Sequence, residues 1–202
     1  MKILLSVVIT LVVLFGLLMI YMYSGWHDVS AMHEDHGMMK WIMRTTKNNS
    51  IESRIKEISV PNLENPEMIK EGFEHYNAMC AGCHGAPGME ETELSKGLNP
   101  HAPYLPRVAA FIEPAEIFWA TKNGINMTGM PAWGKTHSDE KIWAIVAFTK
   151  KLPDMSADDY KKWQMKLKKM KIIIMEKNIT TILTIKMKLF TDYFQHTEWK
   201  VS

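Results

Sequence analysis

A chain of 202 residues has room for one ordinary domain and some appendages, and its formal net charge of +2 conceals a strong asymmetry. Residues 1–60 carry a net +1, residues 61–160 a net −6 and residues 161–202 a net +7. An acidic middle with a basic end argues against a nucleic-acid-binding domain and for differing surroundings, or for attraction between tail and domain.

Ile3 to Tyr23 run without a charge. At ~1.5 Å per residue they span roughly 31 Å, about one hydrocarbon core. The run is longer than the apolar region of a removable signal peptide, and Tyr21 to Gly25 make a poor cleavage site. Tyr21, Tyr23 and Trp26 suit an interfacial aromatic belt. The expectation is an uncleaved transmembrane signal anchor over residues 1–25, with Lys2 cytoplasmic and the remainder exported.

Residues 26–60 form a His/Met-rich juxtamembrane linker followed by a short helix. Met32, His33, His36, Met38 and Met39 include donor types that copper favours. The reading preferred over a copper site is a linker helix whose methionines face lipid or a partner subunit. TTKNNS (45–50) is expected to break this stretch, and SIESRIKEI (50–58) to form an amphipathic helix. Pro61 and Pro66 fence off an extended linker.

Residues 61–163 have the texture of a compact all-α domain. Pro66 opens a helix with acids in its first turn and apolar residues at Met68, Ile69, Phe73, Tyr76, Met79 and Cys80. GAPG and LNPHAPYLP are loop chemistry. EPAEIFWATKNG is a helix closed by Gly124, and SDEKIWAIVAFTKKLP has Ser138 as N-cap, acids first, lysines last and a proline stop. The basic tail, 164–202, is lysine-rich and β-branched. It reads as a strand pair turning at Glu176 to Asn178, an amphipathic membrane-surface segment, or a poorly ordered extension.

The two cysteines of the chain fall in Cys80-Ala81-Gly82-Cys83-His84. C-x-x-C-H is the attachment motif of a c-type haem. Thiols at i and i+3 lie on one side of a helical turn, so each can add to one vinyl group, and the adjacent imidazole then lies under the iron. Ala81 and Gly82 are small enough for the macrocycle to approach the backbone. A structural zinc site would need four ligands, and no second cysteine pair exists. A redox C-x-x-C would want a βαβ surround, and a disulfide across three residues would close almost no loop. One covalent haem c is the cofactor expected. For the sixth ligand the candidates are His101, His137, Met127 and Met130, the last two in a Gly/Pro-rich loop able to present a thioether.

These features resemble the class I cytochromes c: a helix before CAGCH, a G-M-P-x-aromatic loop at Gly129 to Trp133, and a closing aromatic helix. The likeness spans about residues 66–153. It implies the class I cytochrome c fold, with His84 and Met130 as axial iron ligands and Cys80 and Cys83 as thioether anchors. It also implies that Pro103 offers its carbonyl to His84 Nδ1–H, and that Gly72 and Tyr76 pack against Trp143 and Phe148 where the first and last helices cross. The wider string is similar to a subgroup of membrane-anchored mono-haem cytochromes.

Arg107 is a candidate partner for a haem propionate, with an exposed arginine as the alternative. Trp133, Trp119 and Trp143 are expected to pack in the haem pocket and core, Met127 at the haem edge or in the core, and His75 and His137 at the surface.

The function expected is electron transfer by a membrane-tethered carrier, not an enzyme, with its haem domain on the periplasmic side of a bacterial inner membrane. Its partners would be the membrane, through the N-terminal helix, and redox proteins, with no nucleic acid and no small-molecule substrate. The alternatives are a haem subunit of a larger respiratory or dehydrogenase complex, and a haem sensor or catalyst with an open distal site.

Overall fold

The computed structural model describes residues 1–33 and 37–196, and among these there is no strand. The first helix, α1 (Lys2–Tyr23), has 22 residues and none of its side chains is buried. Its length, about 33 Å at ~1.5 Å per residue, matches a hydrocarbon core. It is the one helix among the described residues long and apolar enough to cross a membrane.

TTKNNS does not break the next element. Helix α2 (Gly37–Ile55) runs through it and starts well before Ser50. Threonine and asparagine cost a helix only ~0.7 kcal/mol or less each, and tertiary contact overrides that. Here Ile51 is buried and α2 packs on α7 (Pro114–Asn123). Arg54 also donates to the Ser50 carbonyl and hydroxyl, both at 2.8 Å, tying down the last turn.

The domain proper begins at α3 (Pro66–His75). Asn65 is its N-cap, its side chain accepting the Glu67 N–H at 3.0 Å, with Pro66 at the first helical position. The helix passes through one π-helical turn, Tyr76–Cys80, into the short α4 (Ala81–His84). Short helices α5 (Glu93–Lys96) and α6 (Leu105–Val108) lead to α7, and α8 (Asp139–Lys151) follows with Ser138 as N-cap. Lys150 reaches back from α8 to the carbonyls of Ala109 (2.7 Å), Ile112 (3.0 Å) and Ala110 (3.2 Å). One ammonium thus satisfies the acceptors left where the turn after α6 ends.

Helices α3 and α8 cross at Gly72, which meets Ala144 and Phe148. Tyr76 packs on Phe148 with ring centroids 5.4 Å apart. Trp143 does not join that crossing as expected. It stacks on Phe118 at 4.1 Å and 13°, in a second cluster with Ile117, Ile142 and Val146. The reason is helical phase: position 143 lies one residue before Ala144, so its side chain leaves α8 on a neighbouring face.

Over its described residues, 164–196, the tail is neither a strand pair nor irregular. Helix α9 (Ala157–His196) is continuous over 40 residues. Its first turns belong to the core: Tyr160 and Leu167 are buried, and Phe73 meets Tyr160 and Trp163 edge-on at 5.5 and 5.3 Å. Asn77 Oδ1 accepts from Tyr160 OH (3.0 Å) and Gln164 Nε2 (2.9 Å). Alternating β-branched residues therefore did not specify a strand here. The packed Tyr160-Trp163-Leu167-Met170 spacing nucleates a helix that simply continues.

Candidate haem site

Cys80, Cys83 and His84 lie on one helical segment, at the junction of the π turn and α4. A π turn often sits at a functional site because it shifts the phase of the side chains that follow. Both cysteines are free thiols, Cys80 buried and Cys83 half-buried. Burial, and then the neighbouring Cys83, push the Cys80 thiol up to about 12, so it is uncharged at neutral pH. A Cβ built on Gly82 would meet nothing within 4 Å, so the face between the thiols is open.

His84 Nδ1 lies 3.0 Å from the Pro103 carbonyl. A carbonyl only accepts, so Nδ1 carries the proton and the lone pair resides on Nε2. Burial lowers the His84 pKa, and the bond to Pro103 opposes that shift. Fixing the tautomer from behind is how a ligating imidazole is oriented.

The helix end holding these residues is secured by hydroxyl groups that sequence reasoning passed over. A helix C-terminus leaves its last carbonyls without intrahelical partners. Here Thr92 Oγ1 donates to the Gly82 carbonyl and Ser95 Oγ to that of Cys83 at 3.0 Å. Tyr76 OH donates to Gly85 O at 2.7 Å and Tyr104 OH to Ala86 O at 3.2 Å. The signal was present for Thr92, which caps α5 through the Ser95 N–H (3.1 Å) in a T-x-x-S spacing. That its hydroxyl also reaches the C-x-x-C-H turn depends on tertiary approach, which no local spacing encodes.

Met130 is half-buried in the loop between α7 and α8. The loop is set by Ile125 N–H to Met130 O (3.1 Å), Met130 N–H to Thr128 Oγ1 (3.1 Å) and Thr128 Oγ1 to Ile125 O (2.7 Å). Gly124, at φ +68°, makes it possible, since a Cβ there would lie 2.8 Å from Ala132 N, Met130 O and Pro131 C. Leu98 touches Gly129, joining this loop to the one that carries Pro103. Met127 is 75 % exposed, with a left-handed φ of 58°, so of its two expected places the core is excluded. His101 is exposed, its Nδ1 3.9 Å from Glu91.

Arg107 is exposed on α6, and Trp133 is half-buried, edge-on to His137 at 5.5 Å. His33 is exposed beside Asp28, and His36 lies outside the described residues. His75 and His137 are half-buried rather than surface groups, stacked edge-on at 5.3 Å. Burial, then His137 and Lys141, lower the His75 pKa from its ordinary 6.5, against the raising effect of Glu71 and Glu74. The neutral form is therefore favoured on folding, and the unfolded chain binds more protons below pH 6.5. Stability is expected to be full above pH 6.5 and to fall as pH drops through the lower folded value. Thermal midpoints recorded on either side of that pH check this, and His75→Gln is expected to flatten the acid-side fall.

The donor set fits a covalent haem: two reduced thiols three residues apart, an imidazole with Nε2 free, and a thioether in a hydrogen-bonded loop. Comparison with known proteins agrees. Residues 67–148 match the family model described as cytochrome C oxidase, cbb3-type, subunit III. The match covers about two-fifths of the chain, from α3 to α8, and leaves out α1, α2 and α9. No curated protein and no solved structure gives a match. The matched region is a c-type cytochrome domain, and together with the all-helical fold it supports the likeness to the class I cytochromes c. That family implies covalently bound haem c and electron exchange with redox partners.

Proposed function

We propose that the protein is a membrane-tethered mono-haem electron carrier, held by α1 with its haem domain on the exported, periplasmic side of a bacterial inner membrane. Cys80 and Cys83 would anchor the haem through thioethers, with His84 and Met130 as axial ligands. The group supplies one-electron ferrous–ferric chemistry. The chain's own part is to hold His84 in its Nδ1–H tautomer through Pro103 and to cap the helix end beneath it. Arg107 and Trp133 would complete the pocket. The observation that carries this reading is the His84–Pro103 contact beside two free thiols, because it fixes which nitrogen faces a metal.

A tether raises effective concentration near membrane partners, so weak docking suffices. Glu67, Glu71, Glu74 and Glu140 line one groove with Lys70, which makes the α3–α8 surface acidic. Docking onto a basic partner surface follows from that sign. A second reading is favoured by the matched family's name: the chain would be a fixed haem subunit of a respiratory complex.

Optical spectra of the purified protein, oxidised and reduced, with and without carbon monoxide, test the carrier chemistry. A low-spin c-type spectrum with a sulfur-to-iron band and no carbon monoxide binding is expected. High-spin iron that binds carbon monoxide readily would replace the carrier by a sensor or catalyst. Co-purification after mild detergent extraction separates free carrier from fixed subunit.

A further inference from the structure

Beyond Met170, α9 leaves the domain, and its apolar side chains have no counterpart in the core. Ile172, Met175, Ile179, Ile182 and Leu183 are each 42 to 56 % exposed. At ~100° per residue their spacing of i, i+3, i+7, i+10 and i+11 places all five within an arc of about 100°. Lys177 and Lys188 lie on the far side with Thr180, Thr181 and Thr184, and the exposed Ile173 and Ile174 of the preceding turn flank them. The three threonine hydroxyls donate to the carbonyls four residues earlier, each at 2.9 Å, so they make no demand on water.

We infer that this second half of α9 lies on an anionic lipid surface, its isoleucine–methionine–leucine arc in the acyl boundary and its lysines at the headgroups. Charge complementarity selects the occupant. From Lys166 to Lys188 there are seven lysines against a single acid, Glu176. Juxtamembrane lysines gain from anionic headgroups, and apolar arcs from shallow burial. A second copy fits less well. Ile172, Met175, Ile179 and Ile182 continue in heptad spacing to Lys186, which would sit in the seam of a self-paired coil. At a lipid surface the same lysine extends along its own aliphatic stem to the headgroups. The inference rests on the tether reading for bringing α9 to a bilayer.

The full-length haem-loaded chain, with a spin-labelled cysteine at Leu183→Cys or Thr184→Cys, is reconstituted into vesicles. One set contains phosphatidylglycerol with phosphatidylcholine, the other phosphatidylcholine alone. Flotation with the vesicles reads the tether independently of α9. In the anionic vesicles the label at 183 is expected to be shielded from an aqueous nickel chelate and open to oxygen, with the label at 184 the reverse. Lys177→Gln with Lys188→Gln is expected to weaken this shielding about fivefold per charge removed. Equal water access of both labels, equal shielding in the two vesicle types, or dipolar broadening between copies would each overturn the inference.

Discussion

Replacing Gly72 by alanine is expected to lower the thermal midpoint of the haem domain by roughly 10–25 °C. The cause is steric and local. A Cβ on Gly72 would lie 1.8 Å from the Ala144 carbonyl oxygen and 2.9 Å from Phe148 Cβ. Neither neighbour is the free end of a flexible side chain, so relief requires α3 and α8 to separate. Overpacking typically costs 1–3 kcal/mol, and a backbone-to-backbone clash belongs at about 3 kcal/mol or above. In a domain of this size each kcal/mol moves the midpoint by about 4–8 °C. The separation would also loosen Tyr76, which is wholly buried on Phe148 and donates to Gly85 O just beyond the C-x-x-C-H turn. Gly97→Ala is the internal contrast: a Cβ there would meet only Glu93 O at 3.6 Å and Leu94 O at 3.7 Å, ordinary contact distances, so no comparable loss is expected. Circular dichroism melts of both variants decide the matter, and equal midpoints would show that the crossing tolerates a methyl group.

That crossing also shows what sequence could and could not convey. Helices α3, α7 and α8 were legible because their ends carry local chemistry: Asn65 and Pro66, Pro114 and Gly124, Ser138 and Pro153. The C-x-x-C-H motif stood out because covalent haem attachment would demand that spacing. Residues joined only by the fold did not. Thr92, Ser95 and Tyr104 reach the C-x-x-C-H turn from positions 8 to 20 residues downstream of His84, and although Thr92 is marked as a cap of α5, nothing local marks any of the three for this contact. Trp143 was assigned to the wrong face because resemblance gives membership of the closing helix more readily than its phase. The tail misled for a different reason. Its Ile- and Thr-rich composition favours strands only weakly, whereas the buried Tyr160–Leu167 turns fix the backbone as helix from upstream.

The His75–His137 pair shows the same limit from the electrostatic side. The two positions are 62 residues apart and each reads as a solvated surface histidine. Only the α3–α8 crossing brings their rings to 5.3 Å and half-buries them. His137 in turn meets Trp133, three residues after Met130 in chain order. A pH-sensitive pair therefore adjoins the loop proposed to supply the sixth ligand, so the acid loss of stability is expected to appear first around Trp133.

Met130→Ala is expected to leave the haem covalently attached while opening the iron to carbon monoxide, whereas Met127→Ala changes neither property. Attachment would depend on Cys80 and Cys83, which lie on a different segment from the methionine loop, in a turn held by Thr92, Ser95 and Tyr76. Removing the Met130 thioether would therefore take away one proposed iron ligand without touching the proposed anchors. The two methionines sit three residues apart in one loop but in opposite settings. Met130 is half-buried, with its N–H fixed to Thr128 and its carbonyl to Ile125. Met127 is 75 % exposed on a left-handed residue that points its side chain out of the loop. A soft thioether stabilises the ferrous state, so its loss is also expected to lower the reduction potential. The measurements are a carbon monoxide difference spectrum, a redox titration and a denaturing gel stained for haem. Carbon monoxide binding by the Met127 variant and not the Met130 variant would transfer the ligand role to Met127. Binding by neither would direct the search to His101, the exposed histidine beside Glu91.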